Sequence, residues 1–241
     1  GVKAEAEVIP TGLQQHSFKE ADGQAFRLKY GIPLERPMLL FVGRVAFEKN
    51  ISFLLEMTKV LIAKHPDVLL VVAGQGPAEE SLHQLAQELA LSNNIRFIGY
   101  LDRNTELNAC YQAADIFVFA SKSETQGLVL LEAMAQGTPV VAIAELGTAS
   151  ILIEGVGALI APDNAQGFAA RVDELLQHPE QCYELGKSAL SYASENWTAR
   201  RQAERMLHFY HHLISLHQLT SAKFSPICTA NVIGGSSAVK C

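Results

Sequence analysis

Cysteine is scarce in this sequence and irregularly placed. The 241 residues contain four, at Cys110, Cys182, Cys228 and Cys241, with no C-x-x-C pair among them. Zinc sites and the disulfide frameworks of secreted proteins both need cysteines at short, regular spacings. Their absence predicts a protein of a reducing compartment that has no zinc site.

Long hydrophobic runs are also missing, although 49% of the residues are hydrophobic. No apolar stretch reaches the roughly 20 residues that cross a bilayer, and the first residues lack the charged-then-apolar order of a signal peptide. We therefore expect a cytoplasmic protein, with peripheral contact at the cytoplasmic face of a membrane left open. The hydrophobic content is ample for a large buried core.

Positive charge is in deficit. The chain has 19 Lys and Arg residues against 25 Asp and Glu residues, a formal net charge of -6. This balance argues against nucleic acid as a partner, although a local cationic pocket for a phosphorylated small molecule remains compatible with it. The sequence also lacks a G-x-S-x-G motif and a Ser/His/Asp set, which would have indicated a hydrolase.

What the sequence does have is a regular alternation of short apolar runs and amphipathic helical stretches. Near-continuous apolar strands between helices predict a parallel sheet covered on both faces. The predicted fold class is therefore α/β, a doubly wound parallel sheet whose ligands bind beyond the carboxyl ends of the strands. The predicted strands lie at residues 37–45, 67–74, 94–101, 115–121, 139–144 and 157–162, and the predicted helices between them at 50–66, 78–91, 104–114 and 127–137.

The two ends of the chain follow other patterns. Pro10 and Gly12 interrupt any regular element near the start, and the region after residue 166 is wholly helical. The last residues are small, polar and aperiodic, so disorder is predicted there. The expected organisation is an interdomain linker at 1–20, a Rossmann-like domain at 21–196, a last helix at 197–217 and a disordered tail at 218–241.

The loop after the first predicted strand brings two cations to one strand end. Gly43 permits a tight turn, and Arg44 and Lys49 follow it. A planar guanidinium and an ammonium together suit a diphosphate group. The alternative is that both are solvated surface cations, which is the commoner fate of Lys and Arg.

The loop after the second predicted strand contains a G-x-G turn. Gly74 and Gly76 form it, but Glu79 stands where a dinucleotide-binding fingerprint would have its third glycine. The turn therefore indicates room for the base or backbone of a ligand near the sheet edge rather than an NAD site.

The loop after the fourth predicted strand leads into a helix. Residues 121–126 are polar, and the helix opens at Gly127. The free N–H groups of Gly127, Leu128 and Val129 would point toward the end of the strand, where unpaired donors and the helix dipole attract phosphate.

Two glutamates flank this helix start. Glu124 precedes the helix and Glu132 lies more than a turn inside it, so they cannot be neighbours on one helix face. An acid/base pair, two carboxylates that accept hydrogen bonds from sugar hydroxyls, and ordinary solvated charges are the three interpretations. Spacing alone favours the last. His208 and His212 have a metal-compatible spacing near the end of the chain, but surface histidines are the simpler interpretation.

Together, these segments resemble the C-terminal half of retaining GT-B glycosyltransferases of family 4, the group 1 glycosyltransferases. The resemblance extends from about Glu7 to about His217. Its specificity comes from the joint occurrence of a G-R-x4-K loop and an E-x7-E stretch. The matching segments, in order, are "VIPTGL", "FVGRVAFEKN", "VVAGQGP", "FIGYLDRNTEL" and "YQAADIFVFASKSETQGLVLLEAMAQGTPVVA".

The resemblance implies a donor domain for a nucleoside-diphosphate sugar (UDP-, GDP- or ADP-linked). Arg44 and Lys49 would grip the diphosphate. Glu124 would hold hydroxyls of the transferred sugar, and Glu132 would bind the ribose hydroxyls. No metal or other cofactor is implied, because in this fold cations and helix N–H groups stabilise the charge that Mg²⁺ stabilises elsewhere.

The resemblance also assigns the remaining contacts. Gly127, Leu128 and Val129 would offer backbone N–H groups to the diphosphate. Gly43 belongs to the cationic loop, and the base pocket would be lined by Gly74 and by backbone atoms near Phe97 and Ile98.

Three departures from the family pattern stand out. Thr125-Gln126-Gly127 replaces the commoner Pro-Phe-Gly, a version similar to that of branches that glucosylate membrane diacylglycerol. Leu146-Gly147-Thr148 replaces a Gly-Gly pair, which puts ligand contacts at that loop in doubt. The N-terminal acceptor domain of the family, with its cleft histidine, is missing from the sequence.

The expected function is therefore the donor-binding part of a retaining glycosyltransferase that transfers a hexose to an acceptor hydroxyl, with little or no activity alone. A non-catalytic nucleotide-sugar-binding subunit or regulatory module is the main alternative. A GT-B epimerase or phosphorylase and a flavodoxin-like binding domain are weaker ones.

Overall fold

Seven strands form a single sheet in which every strand pairing is parallel. A computed structural model of the chain describes residues 5–223. The strand order across the sheet is β3-β2-β1-β4-β5-β7-β6. The strands are β1 (Met38–Val42), β2 (Leu69–Ala73), β3 (Ile95–Gly99), β4 (Ile116–Phe119), β5 (Val140–Ala142), β6 (Ile153–Glu154) and β7 (Gly157–Ile160).

Helices cover both faces of the sheet. Helix α2 contacts α3 and α6, whereas α4 contacts α1 and α5, and α5 contacts α7. The helices are α1 (Gly23–Lys29), α2 (Ile51–Leu61), α3 (Glu79–Glu88), α4 (Leu107–Ala113), α5 (Leu128–Ala135), α6 (Ala165–Gln177), α7 (Pro179–Asn196) and α8 (Ala199–Lys223). The predicted doubly wound α/β class is confirmed.

The central strands are buried on both faces. Every residue of β1, β2 and β4 is buried, which is why these strands are continuous apolar runs rather than alternating ones. Three rings stack along the middle of the sheet, with Phe41 and Phe117 at 6.0 Å and 6.2 Å from Phe119. Such a core leaves chemistry to the loops at the strand ends.

Two short elements were not predicted. Helix α1 begins after Asp22, whose side chain accepts a hydrogen bond from the Ala25 N–H at 2.8 Å. Arg27 in this helix is buried and donates to the Ala113 carbonyl at 2.7 Å, so a charged residue packs inward where a pattern of apolar residues gives no signal. Strand β6 has two residues, too few for any periodicity.

The last helix differs from its predicted bounds. Trp197 is the C-cap of α7, and α8 begins at Ala199 and continues to Lys223, six residues beyond the predicted end. The remainder of the predicted tail, residues 224–241, lies outside the described residues. Along residues 5–223, no helix is both long enough and apolar enough to cross a membrane.

The described chain divides into two units. The sheet and its helices form one, from Pro10 to Gln202. Residues 5–9 and 203–223 belong to the other, where His212 Nε2 lies 2.8 Å from Glu5 Oε1 and Arg205 pairs with Glu7. This unit exposes several large apolar side chains of α8: Met206, Leu207, Tyr210, Ile214 and Leu216.

The order of the strands identifies one crevice. The chain runs outward from β1 to β3 on one side and restarts at β4 on the other side of β1. The loops after β1 and β4 therefore leave their neighbouring strands toward opposite faces of the sheet. Such a switch point is where parallel α/β sheets bind ligands.

The glycines after β2 serve close packing of backbone. A Cβ on Gly74 would lie 1.9 Å from the Gly43 carbonyl oxygen, and one on Gly76 would lie 2.3 Å from the Val45 carbonyl oxygen. The loop after β2 thus presses directly on the loop after β1. The sequence predicted that the G-x-G turn leaves room for a ligand. It did not predict that the turn also packs the loop after β2 against the loop after β1.

We expect Gly74→Ala to destabilise the domain by about 2–4 kcal/mol, because the added methyl overlaps backbone and the φ of 143° is unfavourable for an L-residue. Gly31→Ala is the matched control, since its φ is also positive but no atom lies near the added methyl. Urea unfolding of both variants measures the difference. Equal losses would show that the contact with Gly43 is unimportant.

A buried carboxylate joins the turn after α2 to α6. Asp173 accepts hydrogen bonds from His65 Nε2 and Gln177 Nε2, both at 2.8 Å, and pairs with Lys64. Burial pushes the pKa of Asp173 up, but the hydrogen bonds from Lys64, His65 and Gln177 outweigh it and hold the pKa below its ordinary value. The ionised form is therefore more stable in the folded chain than in the unfolded one.

The sign of this shift gives a pH dependence. A lowered folded-state pKa contributes stability above the unfolded pKa of about 4, and the contribution is lost as the pH falls through the folded-state pKa. We expect Asp173→Asn to lower the free energy of unfolding by about 1–2 kcal/mol at pH 7 and by progressively less below pH 4. Asp163→Asn, which removes an exposed partner of Lys122, is the control. A pH-independent deficit in urea titrations would contradict this account.

Candidate functional site

The loop after β1 is held by its own buried residues. Val45 and Ala46 are buried, whereas Arg44, which precedes them in the loop, is exposed. A single 3-10 turn over Phe47–Lys49 follows, and Asn50 closes it with a φ of 55°. Anchored in this way, the loop presents Arg44 and Lys49 from a fixed backbone.

The loop after β4 is bonded to the loop after β1. Asn50 Nδ2 donates to the Ala120 carbonyl at 3.2 Å, and the buried Ser121 donates its hydroxyl to the Glu48 carbonyl at 3.2 Å. Lys49 Nζ forms an ion pair with Glu124, and about one fifth of each side chain is exposed. Two predicted site residues from different loops therefore meet directly.

The start of α5 has no side-chain cap. Gly127 has a φ of 81°, caps the helix without any side-chain hydrogen bond, and is followed by Leu128 and Val129. The first N–H groups of a helix have no acceptor within it. They lie next to the loop that carries Glu124, so this corner combines N–H donors, the helix dipole and side-chain charges.

Glu132 lies inside the helix and is held at both oxygens. Its exposed fraction is 7%. Arg103 Nη2 lies 2.9 Å from Oε1, and the Tyr111 hydroxyl donates to Oε2 at 2.9 Å. Burial, and then the Glu132 charge, raises the pKa of Tyr111 well above its usual value, so the phenol stays a neutral donor.

A cavity of about 310 Å³ opens at this edge of the sheet. Four of the predicted site residues line it: Gly43, Arg44, Gly74 and Val129. The other lining residues include Gln75, Tyr100, Leu101 and Arg103. The cavity therefore connects the cationic loop, the glycine turn, the loop after β3 and the first turn of α5.

Phe97 and Ile98 occupy a different place. The Phe97 ring packs against His83 of α3 with centroids 4.1 Å apart, and neither residue lines the cavity. The chain reaches the cavity a few residues later, at Tyr100 and Leu101. Tyr100 is 68% exposed while Leu101 is buried, which anchors the loop at the cavity wall.

Arg103 and Tyr111 were not among the predicted site residues. Tyr111 has the position of a core aromatic on α4, and Arg103 has the appearance of a surface cation in a loop. Nothing in their spacing links them to Glu132, which lies 29 and 21 residues away. A buried tyrosine hydroxyl needs a hydrogen-bond partner, and this need was the one available signal that Tyr111 contacts a polar group.

Gln126 connects the same loop to the start of the domain. Its side chain accepts a hydrogen bond from the Thr11 N–H at 3.0 Å and donates to the Thr11 carbonyl at 2.6 Å. The next residues pair with the segment after α7, where the Leu13 N–H donates to the Trp197 carbonyl at 2.7 Å. The predicted linker is thus bonded to the sheet domain from Thr11 onward.

Gly147 contacts the backbone of the loop after β4. Its N–H donates to the Glu124 carbonyl at 2.9 Å, and a Cβ at this position would overlap the Thr125 backbone at 2.2 Å. Leu146 is 71% exposed, with a φ of 49°. The Leu-Gly-Thr version of this loop keeps one glycine, at the position of closest backbone approach.

The described part of the chain contains no group of three or more His, Cys, Asp or Glu side chains arranged to hold a metal ion. Two cations at the strand ends are instead paired with carboxylates, Lys49 with Glu124 and Arg103 with Glu132. An arrangement of this kind can bind a polar anion that carries hydroxyl groups, because it offers ammonium, guanidinium, N–H and carboxylate groups within one crevice.

Curated proteins are similar in sequence to this chain. Curated relatives include a D-inositol 3-phosphate glycosyltransferase of Catenulispora acidiphila, 34% identical over 91% of this chain and 53% of its own length. Another is the alpha-monoglucosyldiacylglycerol synthase of Streptococcus pneumoniae, 40% identical over 58% of this chain and 33% of its own length. The chain thus spans about half, or less, of the curated relatives that it matches.

Solved structures give the fold independently. An Anabaena protein in complex with UDP superposes with a TM-score of 0.76 at 20% identity, covering 86% of this chain and 57% of that one. The C-terminal domain of a group 1 glycosyltransferase of Francisella tularensis has a TM-score of 0.68 at 27% identity, covering 78% of this chain and 99% of that one. The family model described as "Glycosyl transferases group 1" matches residues 22–191. The chain belongs to the group 1 glycosyltransferases.

Proposed function

We propose that this chain is the donor-binding half of a retaining glycosyltransferase and binds a nucleoside-diphosphate sugar. The observation that carries the proposal is the contact between Lys49 and Glu124 beside the start of α5. A cation for phosphate and a carboxylate for hydroxyls stand side by side there, as a sugar diphosphate requires. The solved Anabaena neighbour was determined with UDP, which supports the same class of ligand.

Each group has a role in the proposed complex. Arg44 and Lys49 grip the diphosphate together with the N–H groups of Leu128 and Val129. Glu124 accepts hydrogen bonds from the transferred sugar. The ribose hydroxyls bind at Glu132, and the base lies in the cavity beyond Gly74.

The charges suit the chemistry of glycosyl transfer. The bond between the anomeric carbon and the phosphate oxygen breaks, and a bond to the acceptor oxygen forms on the same face. The acceptor proton passes to the leaving phosphate oxygen. Arg44, Lys49 and the start of α5 stabilise the negative charge that develops on the leaving diphosphate, so the proposed mechanism involves no metal ion.

The acceptor is proposed to bind to a separate domain. These two relatives are nearly twice as long as this chain, and their names refer to an inositol phosphate and to a glucosyl-diacylglycerol. Acceptors therefore differ among relatives that share this half. In the proposed enzyme the acceptor domain completes the cleft, so this chain alone binds the donor but transfers sugar poorly.

We expect calorimetry to detect binding of at least one of UDP, GDP and ADP, unchanged by EDTA. Arg44→Ala and Lys49→Ala should each weaken it by on the order of tenfold, because each removes a charge-assisted hydrogen bond. Lys59→Ala, an exposed cation of α2, is the matched control and should leave it unchanged. No binding of any of the three nucleotides, or full affinity in both site variants, would refute the proposal.

A second experiment separates the sugar from the diphosphate. Glu124→Gln should lower the affinity for UDP-glucose, if UDP is the preferred nucleotide, and leave that for UDP equal or higher. The carboxylate accepts sugar hydroxyls, while its loss releases Lys49 for the phosphates. The measured quantity is the ratio of the two dissociation constants in competition titrations. A parallel fall in both affinities would place Glu124 at the diphosphate instead.

A further inference from the structure

Glu132 is fixed by three separate elements. It projects from α5, Arg103 reaches its Oε1 from the loop after β3, and Tyr111 reaches its Oε2 from α4. A carboxylate held at both oxygens cannot rotate to suit whatever approaches it. Its remaining acceptor positions, roughly two of the four lone-pair sites, therefore point in set directions.

Arg103 is itself held in place. Asp102 Oδ1 accepts hydrogen bonds from the N–H groups of Asn104 at 2.8 Å and Thr105 at 3.1 Å, which closes a turn around Arg103. Leu101 on the other side is buried. The guanidinium thus extends from an ordered turn, and its side chain is 55% exposed, at the wall of the cavity.

Tyr111 supplies the opposite restraint from the core. The residue is fully buried, and its ring lies 5.7 Å from that of Phe117. Its hydroxyl donates to Glu132 within an otherwise apolar layer. Phenylalanine would fill the same volume without a polar atom, so the hydroxyl serves the carboxylate rather than the packing.

We propose that Arg103 and Tyr111 are positioning residues that orient Glu132 to select ribose over deoxyribose in the bound nucleotide. This inference rests on the proposed donor-binding function. A cis-diol presents two hydroxyl donors at a fixed separation, and a carboxylate with a fixed orientation accepts both at once. Released from Arg103, the same carboxylate turns and loses the paired geometry.

Arg103 and Tyr111 also have a structural effect, and the test must distinguish that effect from the positioning of Glu132. Loss of a merely structural contact lowers the affinity for every nucleotide by the same factor. Loss of a positioning contact lowers the affinity only for nucleotides that carry the hydroxyls. The informative quantity is therefore the preference of each variant for a nucleoside diphosphate over its 2′,3′-dideoxy analogue.

The experiment titrates the whole chain by calorimetry with whichever of UDP, GDP and ADP binds most tightly, and with its dideoxy analogue. The wild type should prefer the ribonucleotide by on the order of tenfold or more. Arg103→Ala should reduce the preference to within about threefold, with a larger loss of affinity for the ribonucleotide than for the dideoxy form, because Arg103 also lines the cavity. Arg103→Lys should restore part of the preference.

Further variants make the test specific. Tyr111→Phe should lower the preference in the same direction, with thermal unfolding used to confirm that the variant is folded. Combining Arg103→Ala with Glu132→Gln should give no lower preference than Glu132→Gln alone. Arg171→Ala, which removes ion pairs with Glu154 and Glu174, is the matched control and should behave as the wild type.

Three results would overturn the inference. One is a wild type without preference between the two nucleotides, and another is an Arg103→Ala variant that keeps the full preference. The third is an equal loss of affinity for both nucleotides in that variant, which would place Arg103 against the base or the diphosphate. Absence of binding of UDP, GDP and ADP to the wild type would instead overturn the proposed function together with this inference.

Discussion

The adjacency of β1 and β4 is the constraint on which the site depends. Leu39 and Leu40 of β1 pair in parallel with Ile116 and Phe117 of β4, although the two strands are far apart in the chain. Their loops therefore begin at neighbouring positions on the same edge of the sheet, and Lys49 meets Glu124 across a sequence separation of 75 residues. Without that pairing, Lys49 and Glu124 would not lie in the same crevice.

Charge pairing shapes the site as much as topology does. Lys49 with Glu124 and Arg103 with Glu132 place a cation beside each carboxylate. A half-buried or buried charge requires such a partner, because solvation is lost. The same pairs leave spare donors and acceptors at the crevice, so the groups that keep the site stable are also those that a polar, anionic ligand can use.

Backbone packing keeps these loops in place. Gly74 and Gly147 stand where two loops approach too closely for a Cβ, and Gln126 bonds the loop after β4 to the backbone of Thr11. Gly147 and Gln126 restrict the loop that carries Glu124, and Gly74 restricts the loop that carries Arg44. Geometry at the site therefore depends on small residues and one amide as well as on charged groups.

The sequence alone determined the fold class and the strand-end loops of interest, because buried parallel strands are apolar at nearly every position and the helices between them are amphipathic. It also singled out Arg44, Lys49, Glu124 and Glu132, through motifs shared with a family. Only the tertiary structure decided their partners. Arg103 and Tyr111 contact Glu132 across 29 and 21 residues of sequence, respectively, and no local pattern encodes such contacts. The Phe97 ring likewise packs against His83, because the direction of a side chain follows from packing against α3 and not from its place in a motif.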